Sequence, residues 1–480
     1  MLGLVAGRRP STGCLAALLG VVSGSLAAPV VAADRTVAVS VDRDGWTVRD
    51  RAGYGSVRAV LSHSGRYVAF ESYADRLVAG DRNRQPDVFV RDLRRDRTQR
   101  VSVNAAGGRF DGNADSPSMS SDGRLVAFSS SMPLVRGDTN SDWYFEDGQR
   151  VWDGPASDVF VRDRVRRATR RVSVSTAGVQ GNRSSWGPAL SANGRFVAFT
   201  SNARNFTSHD RDRVADVFAR DLARRTTRLV SVGVGGRSAT STSVATGISA
   251  NGRFVAFTSR ASNLVPGDTN RADDCFVRDL RRGVTERVSV ASDGAQAAKP
   301  PWWEWDNELI LACLISANGR YVAFDSTAET IVADDGNAIP LPDLVSGGPR
   351  FTPMTGRDVF VHDRATRATT RVSAGADGAQ MTGLISLSAL SSNRRVAFSW
   401  QSLSAPPGGS GPEFFATYIR DLRSDTLLRF DNTPSTAEAR IASFSGDGRF
   451  TAFISSASDL TARDRNNAPD VFVSGPFGAR

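Results

Sequence analysis

Asn251-Gly252-Arg253-Phe254-Val255-Ala256-Phe257 is followed, one loop later, by Asp274-Cys275-Phe276-Val277-Arg278-Asp279 and then by Arg287-Val288-Ser289-Val290. Each phrase is short, rich in Val and Phe, and bounded by turn residues, which is the composition of a β-strand. The Asn-Gly pair that opens the first phrase is a strong hairpin signal, so an upstream strand at 244–249 must pair with it. Four antiparallel strands, a to d, follow. The central strands carry apolar residues on both faces, as a sheet sandwiched between two other sheets requires.

The unit repeats along the chain. The first phrase returns at 64–70, 122–128, 193–199, 318–324, 447–453 and, weakly, 393–398, making seven copies. The second returns at 87–92, 158–163, 216–221, 358–363, 415–421 and, truncated, 470–473. The third returns at 100–103, 171–174, 229–232 and 371–374. Four-stranded units repeated radially make an all-β propeller, here of seven blades. The last unit stops at strand c, whereas Arg35-Thr36-Val37-Ala38-Val39-Ser40-Val41 matches the missing strand d. The N-terminal strand is therefore expected to complete the last blade, closing the ring and removing an exposed edge.

The Gly-Arg-aromatic-Val-Ala-Phe and Asp-Val-Phe-Val-Arg-Asp phrases resemble the WD40-like (PD40) repeats of TolB-type β-propellers. The resemblance covers essentially residues 35–480. It implies a fold far more than a function, because that family includes binding proteins and propellers attached to peptidases. The chain departs from TolB in having nothing like its separate N-terminal domain. It departs from propeller peptidases in that nothing follows the last blade.

Residues 1–33 read as a signal peptide: Arg8 and Arg9, an apolar run from Leu15 to Val31, and small residues before Asp34. Residues 34–480 then form one propeller domain, placed outside the cell, in the periplasm or in the cell envelope. No later apolar run is long enough to span a bilayer. The formal charge is +10, nearly all of the cations being arginine. Export argues against nucleic acid as the partner for that charge, and a solvated Arg-rich surface is the simpler account. The arginines gather at the bottom turns (Arg91, Arg94 and Arg95; Arg162, Arg166 and Arg167; Arg278, Arg281 and Arg282) with Asp92, Asp163 and Asp279 beside them. Local pairs that close the turns are expected there, rather than a ring that grips an anionic polymer. Cys275 and Cys313 read as two buried free thiols.

The enlarged loops fall on the opposite, top face, and so do most tryptophans. Trp143, Trp152, Trp186, Trp302, Trp303 and Trp305 are the candidate ligand-binding residues, since flat aromatic rings suit stacking on sugars or capture of a peptide. The top loops also repeat an Asp-x-Asn/Asp-x-x-x-Asp pattern. It appears as Asp81-Asn83-Asp87, Asp210-Asp212-Asp216, Asp268-Asn270-Asp274 and Asp464-Asn466-Asp470. Alternating oxygen ligands resemble part of a calcium loop, with Asp81, Asn83, Asp87, Asp268, Asn270 and Asp274 as candidate ligands, while Asx-turns explain the same residues.

Catalysis has little support. The three histidines, His63, His209 and His362, fall in different blades. There is no Gly-x-Ser-x-Gly, phosphate loop or His-Glu-x-x-His. The expected function is a non-enzymatic binding or scaffold propeller for an extracellular or envelope polysaccharide, peptide or protein. The alternative is a polysaccharide-active hydrolase or lyase using top-face carboxylates.

Overall fold

The computed structural model of the chain describes residues 36–48, 55–81, 83–104, 112–146, 149–210, 212–298, 310, 312–336, 356–392, 394–402, 415–430, 439–464 and 466–476. The expected signal peptide at 1–33 lies outside the described residues. No helix among them is long and apolar enough to cross a membrane.

The described strands form seven four-stranded antiparallel sheets, plus one separate two-stranded sheet. Blade 1 runs Ser56–Leu61, Tyr67–Ser72, Asp87–Asp92 and Arg97–Arg100. Blade 3 runs Ser185–Leu190, Phe196–Ser201, Asp216–Asp221 and Thr226–Leu229. Blade 4 runs Ser243–Ile248, Phe254–Ser259, Asp274–Asp279 and Val284–Arg287. In the last blade Thr36–Ala38 pairs antiparallel with Asp470–Ser474, Ala38 opposite Phe472, so the N-terminal strand closes the ring. Strand d begins earlier than the repeated phrase suggests. In blade 1 the ladder ends at Arg100, and Val101 follows it with one further bond from its N–H to the Val88 carbonyl at 2.8 Å.

The core lies between blades. Val68 and Phe70 pack with Ala452, Val471 and Val473 of the last blade, while Ala69 faces Val126 and Phe128 of blade 2. The Phe of strand b stacks on an aromatic ring of strand c, as in Phe257–Phe276 with centroids 5.6 Å apart and, in the sixth blade, Phe398–Tyr418 at 5.7 Å. This is the two-sided burial that the alternation in strand b demands.

One expectation is overturned. Cys275 of blade 4 and Cys313 at the start of Cys313–Ile315 in blade 5 form a disulfide, with Cα atoms 5.9 Å apart. Both cysteines are buried in the cluster between the two blades. A separation of 38 residues hides this proximity in the sequence. Packing of adjacent sheets creates it.

Candidate functional site

The repeated polar residues knit the blades together. In six of the seven blades the Asp that opens strand c accepts a hydrogen bond from the Ser after strand d, as in Ser102 to Asp87 at 2.5 Å, Ser231 to Asp216 at 2.5 Å and Ser40 to Asp470 at 2.5 Å. The last Asp of strand c takes the arginine of the a–b turn, as in Arg253 Nη2 to Asp279 Oδ2 at 2.6 Å. Asp92 and Asp163 pair in the same way with Arg66 and Arg124 at 2.7 Å. The bottom carboxylates thus serve the a–b turn, while Arg94, Arg95, Arg166, Arg167, Arg281 and Arg282 stand exposed. The Arg66 guanidinium and backbone N–H groups hold Asp92 below the usual carboxylate range. For Asp279, burial works upward, but Arg253 and the N–H groups of Arg282 and Arg281 outweigh it and hold the carboxyl at about 2.

On the top face the acids expected to bind calcium are buried. Arg100 Nη1 lies 3.3 Å from Asp81 and 2.7 Å from Asp87, and Asn83 donates to Asp87 at 3.1 Å. In blade 4, Arg287 Nη1 lies 3.2 Å from Asp268 and 3.6 Å from Asp274, and Asn270 donates to Asp274 at 2.9 Å. In both blades a guanidinium supplies the positive charge these carboxylates need. Burial, with the Asp87 charge beside it, still pushes Asp81 up to about 6. Burial likewise pushes Asp274 up to about 6. Acids so enclosed offer a substrate no open pair.

Three of the candidate tryptophans, Trp143, Trp152 and Trp186, fall within the described backbone. The enlarged b–c loop of blade 2 forms its own hairpin, Ser141–Glu146 with Gln149–Pro155, in which Trp143 and Trp152 are direct register partners. The hairpin joins no blade sheet. Its base is fastened to the loop entering blade 3. Asp142 accepts from both the Ser184 hydroxyl and the Ser184 N–H, the latter at 3.1 Å, and Asn140 donates to the Gly181 carbonyl at 3.0 Å. Trp186 lies two residues beyond Ser184, half-buried at the head of the first strand of blade 3. Trp302, Trp303 and Trp305 lie outside the described residues.

The first strands of blades 1 to 4 and of the last blade line a cavity of about 400 Å³. Val57, Pro117, Gly187 and Ile441 form part of its wall, and Arg58 and Arg440 bring the charge. Sequence reading did not single these two out, because a lone arginine in a strand carries no motif. Arg58 donates to Ser116 at 2.5 Å and stands 3.8 Å from Glu71. The histidines are not brought together. His362 is buried against Thr369, Nδ1 to Oγ1 2.8 Å, while His63 packs on Gly446 of the last blade.

Seven antiparallel sheets, the shared phrases and the ring-closing strand decide the architecture. The fold is that of a seven-bladed β-propeller. No protein-family model matches the chain, and no curated protein matches it. Among solved structures, a putative TolB from Agrobacterium tumefaciens is 14% identical, with a TM-score of 0.36, over 66% of this chain and 79% of that one. An oligogalacturonate lyase in complex with manganese is 10% identical, with a TM-score of 0.48, over 93% of this chain and 98% of that one. The β-propeller domain of the Trilobed protease from Pyrococcus furiosus is 9% identical, with a TM-score of 0.44, over 88% and 93%.

Proposed function

We propose that the chain is an exported, non-enzymatic binding propeller that engages an extracellular or envelope glycan, peptide or partner protein through its loop-rich face. The observation that carries this reading is the blade 2 hairpin, in which Trp143 and Trp152 are register partners outside the blade sheets, and whose base is bonded to the loop entering blade 3. A two-stranded hairpin standing alone is marginal in water, so one rich in aromatic residues gains by covering another surface. The Cys275–Cys313 disulfide fits an oxidising compartment, and with it the signal peptide read at 1–33.

The test is co-sedimentation of residues 34–480 with insoluble polysaccharides and cell-wall preparations. Two variants run beside it, W143A/W152A and W302A/W303A/W305A. Binding by the parent that either variant loses supports glycan recognition by the top face. Equal binding by all three removes these tryptophans from the glycan surface, and binding by none sinks the glycan reading and leaves a protein partner. New reducing ends in the supernatant would turn the argument toward the enzyme.

A further inference from the structure

Blades 1, 2, 4 and 5 share one way of keeping buried acids on the upper rim. The arginine at the end of strand d reaches across to them. Arg171 Nη1 lies 3.2 Å from Asp138 and 3.1 Å from Asp158, and Arg371 Nη1 lies 3.8 Å from Asp335, as Arg100 and Arg287 do in their own blades. A loop glutamine adds a donor in blades 2 and 5: Gln180 to Asp138 at 2.9 Å, and Gln380 to Asp335 and Asp358, each at 2.6 Å.

Blade 3 departs at each of these positions. Leu229 stands opposite Phe218, in the register place that Arg287 holds opposite Phe276. Ser238 is bridged to Val232 as Gln180 is to Val174. The Asn83 and Asn270 of blades 1 and 4 become Asp212. Two donors are lost where a carboxylate is gained.

What remains is Asp210, Asp212 and Asp216, each offering an oxygen within 4.8 Å of the others. Asp216 Oδ1 accepts from Ser231 at 2.5 Å. Asp212 accepts from the Val214 N–H at 3.1 Å and from the Ser238 hydroxyl at 2.7 Å. Asp216 Oδ2 and Asp210 Oδ1 have no hydrogen-bond partner, although Asp216 is 0% and Asp210 3% exposed. Among the described residues no arginine forms an ion pair with any of the three. Buried carboxylate oxygens without a donor or counter-charge are among the costliest groups a fold can hold.

The geometry points to a divalent cation site in blade 3, formed by Asp210, Asp212 and Asp216, in the place that an arginine fills in blades 1, 2, 4 and 5. All-oxygen ligands without His or Cys select a hard cation. Oxygens bound to one calcium at about 2.3–2.6 Å lie at most about 5 Å apart, which this cluster satisfies. The ion would pin the b–c loop to the head of strand c beneath the top face. The last blade has Ala38 in the arginine position but only two carboxylates, Asp464 and Asp470, too few for a cation cage: Thr47 donates to Asp464 at 2.9 Å and Ser40 to Asp470 at 2.5 Å, while Asp470 Oδ2 has no hydrogen-bond partner.

The experiment is calcium titration calorimetry and thermal unfolding on residues 34–480 freed of metal with EDTA, alongside Leu229→Arg and Asp212→Asn. Leu229→Arg installs the guanidinium of the sister blades, and Asp212→Asn restores their asparagine. The wild type is expected to bind one calcium per chain and to melt about 2 °C or more higher with saturating calcium. Each variant is expected to weaken binding at least about tenfold and to lose most of the melting shift, with an unchanged far-ultraviolet spectrum. No calcium-dependent heat or shift in the wild type would overturn the assignment. So would an undiminished response in folded Asp212→Asn, which keeps the volume of the side chain and removes one charge.

Discussion

Gly252 at the start of blade 4 lies flat against the ring of Phe196 in blade 3: a Cβ on the glycine would stand 2.2 Å from Phe196 Cδ2. Its φ is +76°, so the turn and the close approach both require glycine. Gly123 meets Tyr67, and Gly319 meets Phe254, in the same way at 2.3 Å. The Gly-Arg-aromatic phrase is therefore a contact between blades as well as a turn. Gly252→Ala should destabilise the protein by about 2–4 kcal/mol, the sum of a left-handed alanine and a displaced ring. Gly235→Ala, also at positive φ but with nothing within 4 Å of the added Cβ, should cost only about 1 kcal/mol. Urea unfolding midpoints distinguish the two.

Asp279 should contribute stability with a defined pH signature. Its folded pKa of about 2 lies below that of a free carboxyl, so its stabilisation is full above about pH 4 and is lost as the pH falls through 2. Asp279→Asn should therefore be less stable than wild type by about 1–2 kcal/mol at pH 7. The gap should close as the pH is lowered toward 2. A gap that does not change with pH would show that the carboxylate charge is not what Arg253 uses.

The Cys275–Cys313 bond closes a loop of 38 residues, and cross-links of that length stabilise by about 3–4 kcal/mol. Cys275→Ser, or reduction under denaturing conditions, should lower the unfolding midpoint accordingly. Alkylation and mass analysis of the unreduced protein should find neither thiol free.

Arg100 sits 6% exposed between two buried acids. Arg100→Leu copies what blade 3 has at Leu229, but leaves Asp81 and Asp87 with no counter-charge. A loss of about 3–5 kcal/mol is expected at neutral pH. Thermal melts of the two proteins check it, and equal midpoints would mean that the acids in blade 1 are protonated.

Ser40 ties the N-terminal segment to Asp470 through a buried 2.5 Å hydrogen bond. Ser40→Ala should cost about 1–3 kcal/mol. Deleting residues 34–48 should open the edge of Asp470–Ser474 and promote association through it, visible as a shift to larger species in light scattering.

The local chemistry of the repeats was enough to predict blade number, strand order and closure by the N-terminal strand. Asn251-Gly252 signals a hairpin, Val255 and Phe257 alternate with Ala256, and Thr36 to Ala38 match a missing strand. These are short-range properties, and a repeat states them seven times. Contacts between blades are not short-range. Only the tertiary structure brings Cys275 to Cys313, lays Gly252 on Phe196, and fastens the base of the blade 2 hairpin through Asp142 to Ser184. The acid loops look alike in sequence because the pattern is one of spacing. Their difference lies on strand d, where Arg100 and Arg287 face inward over the acids and Leu229 does not provide a charge. Sequence specifies each blade through its own hydrogen bonds and alternation, whereas the charge at each buried acid is set by a strand that arrives from elsewhere in the fold.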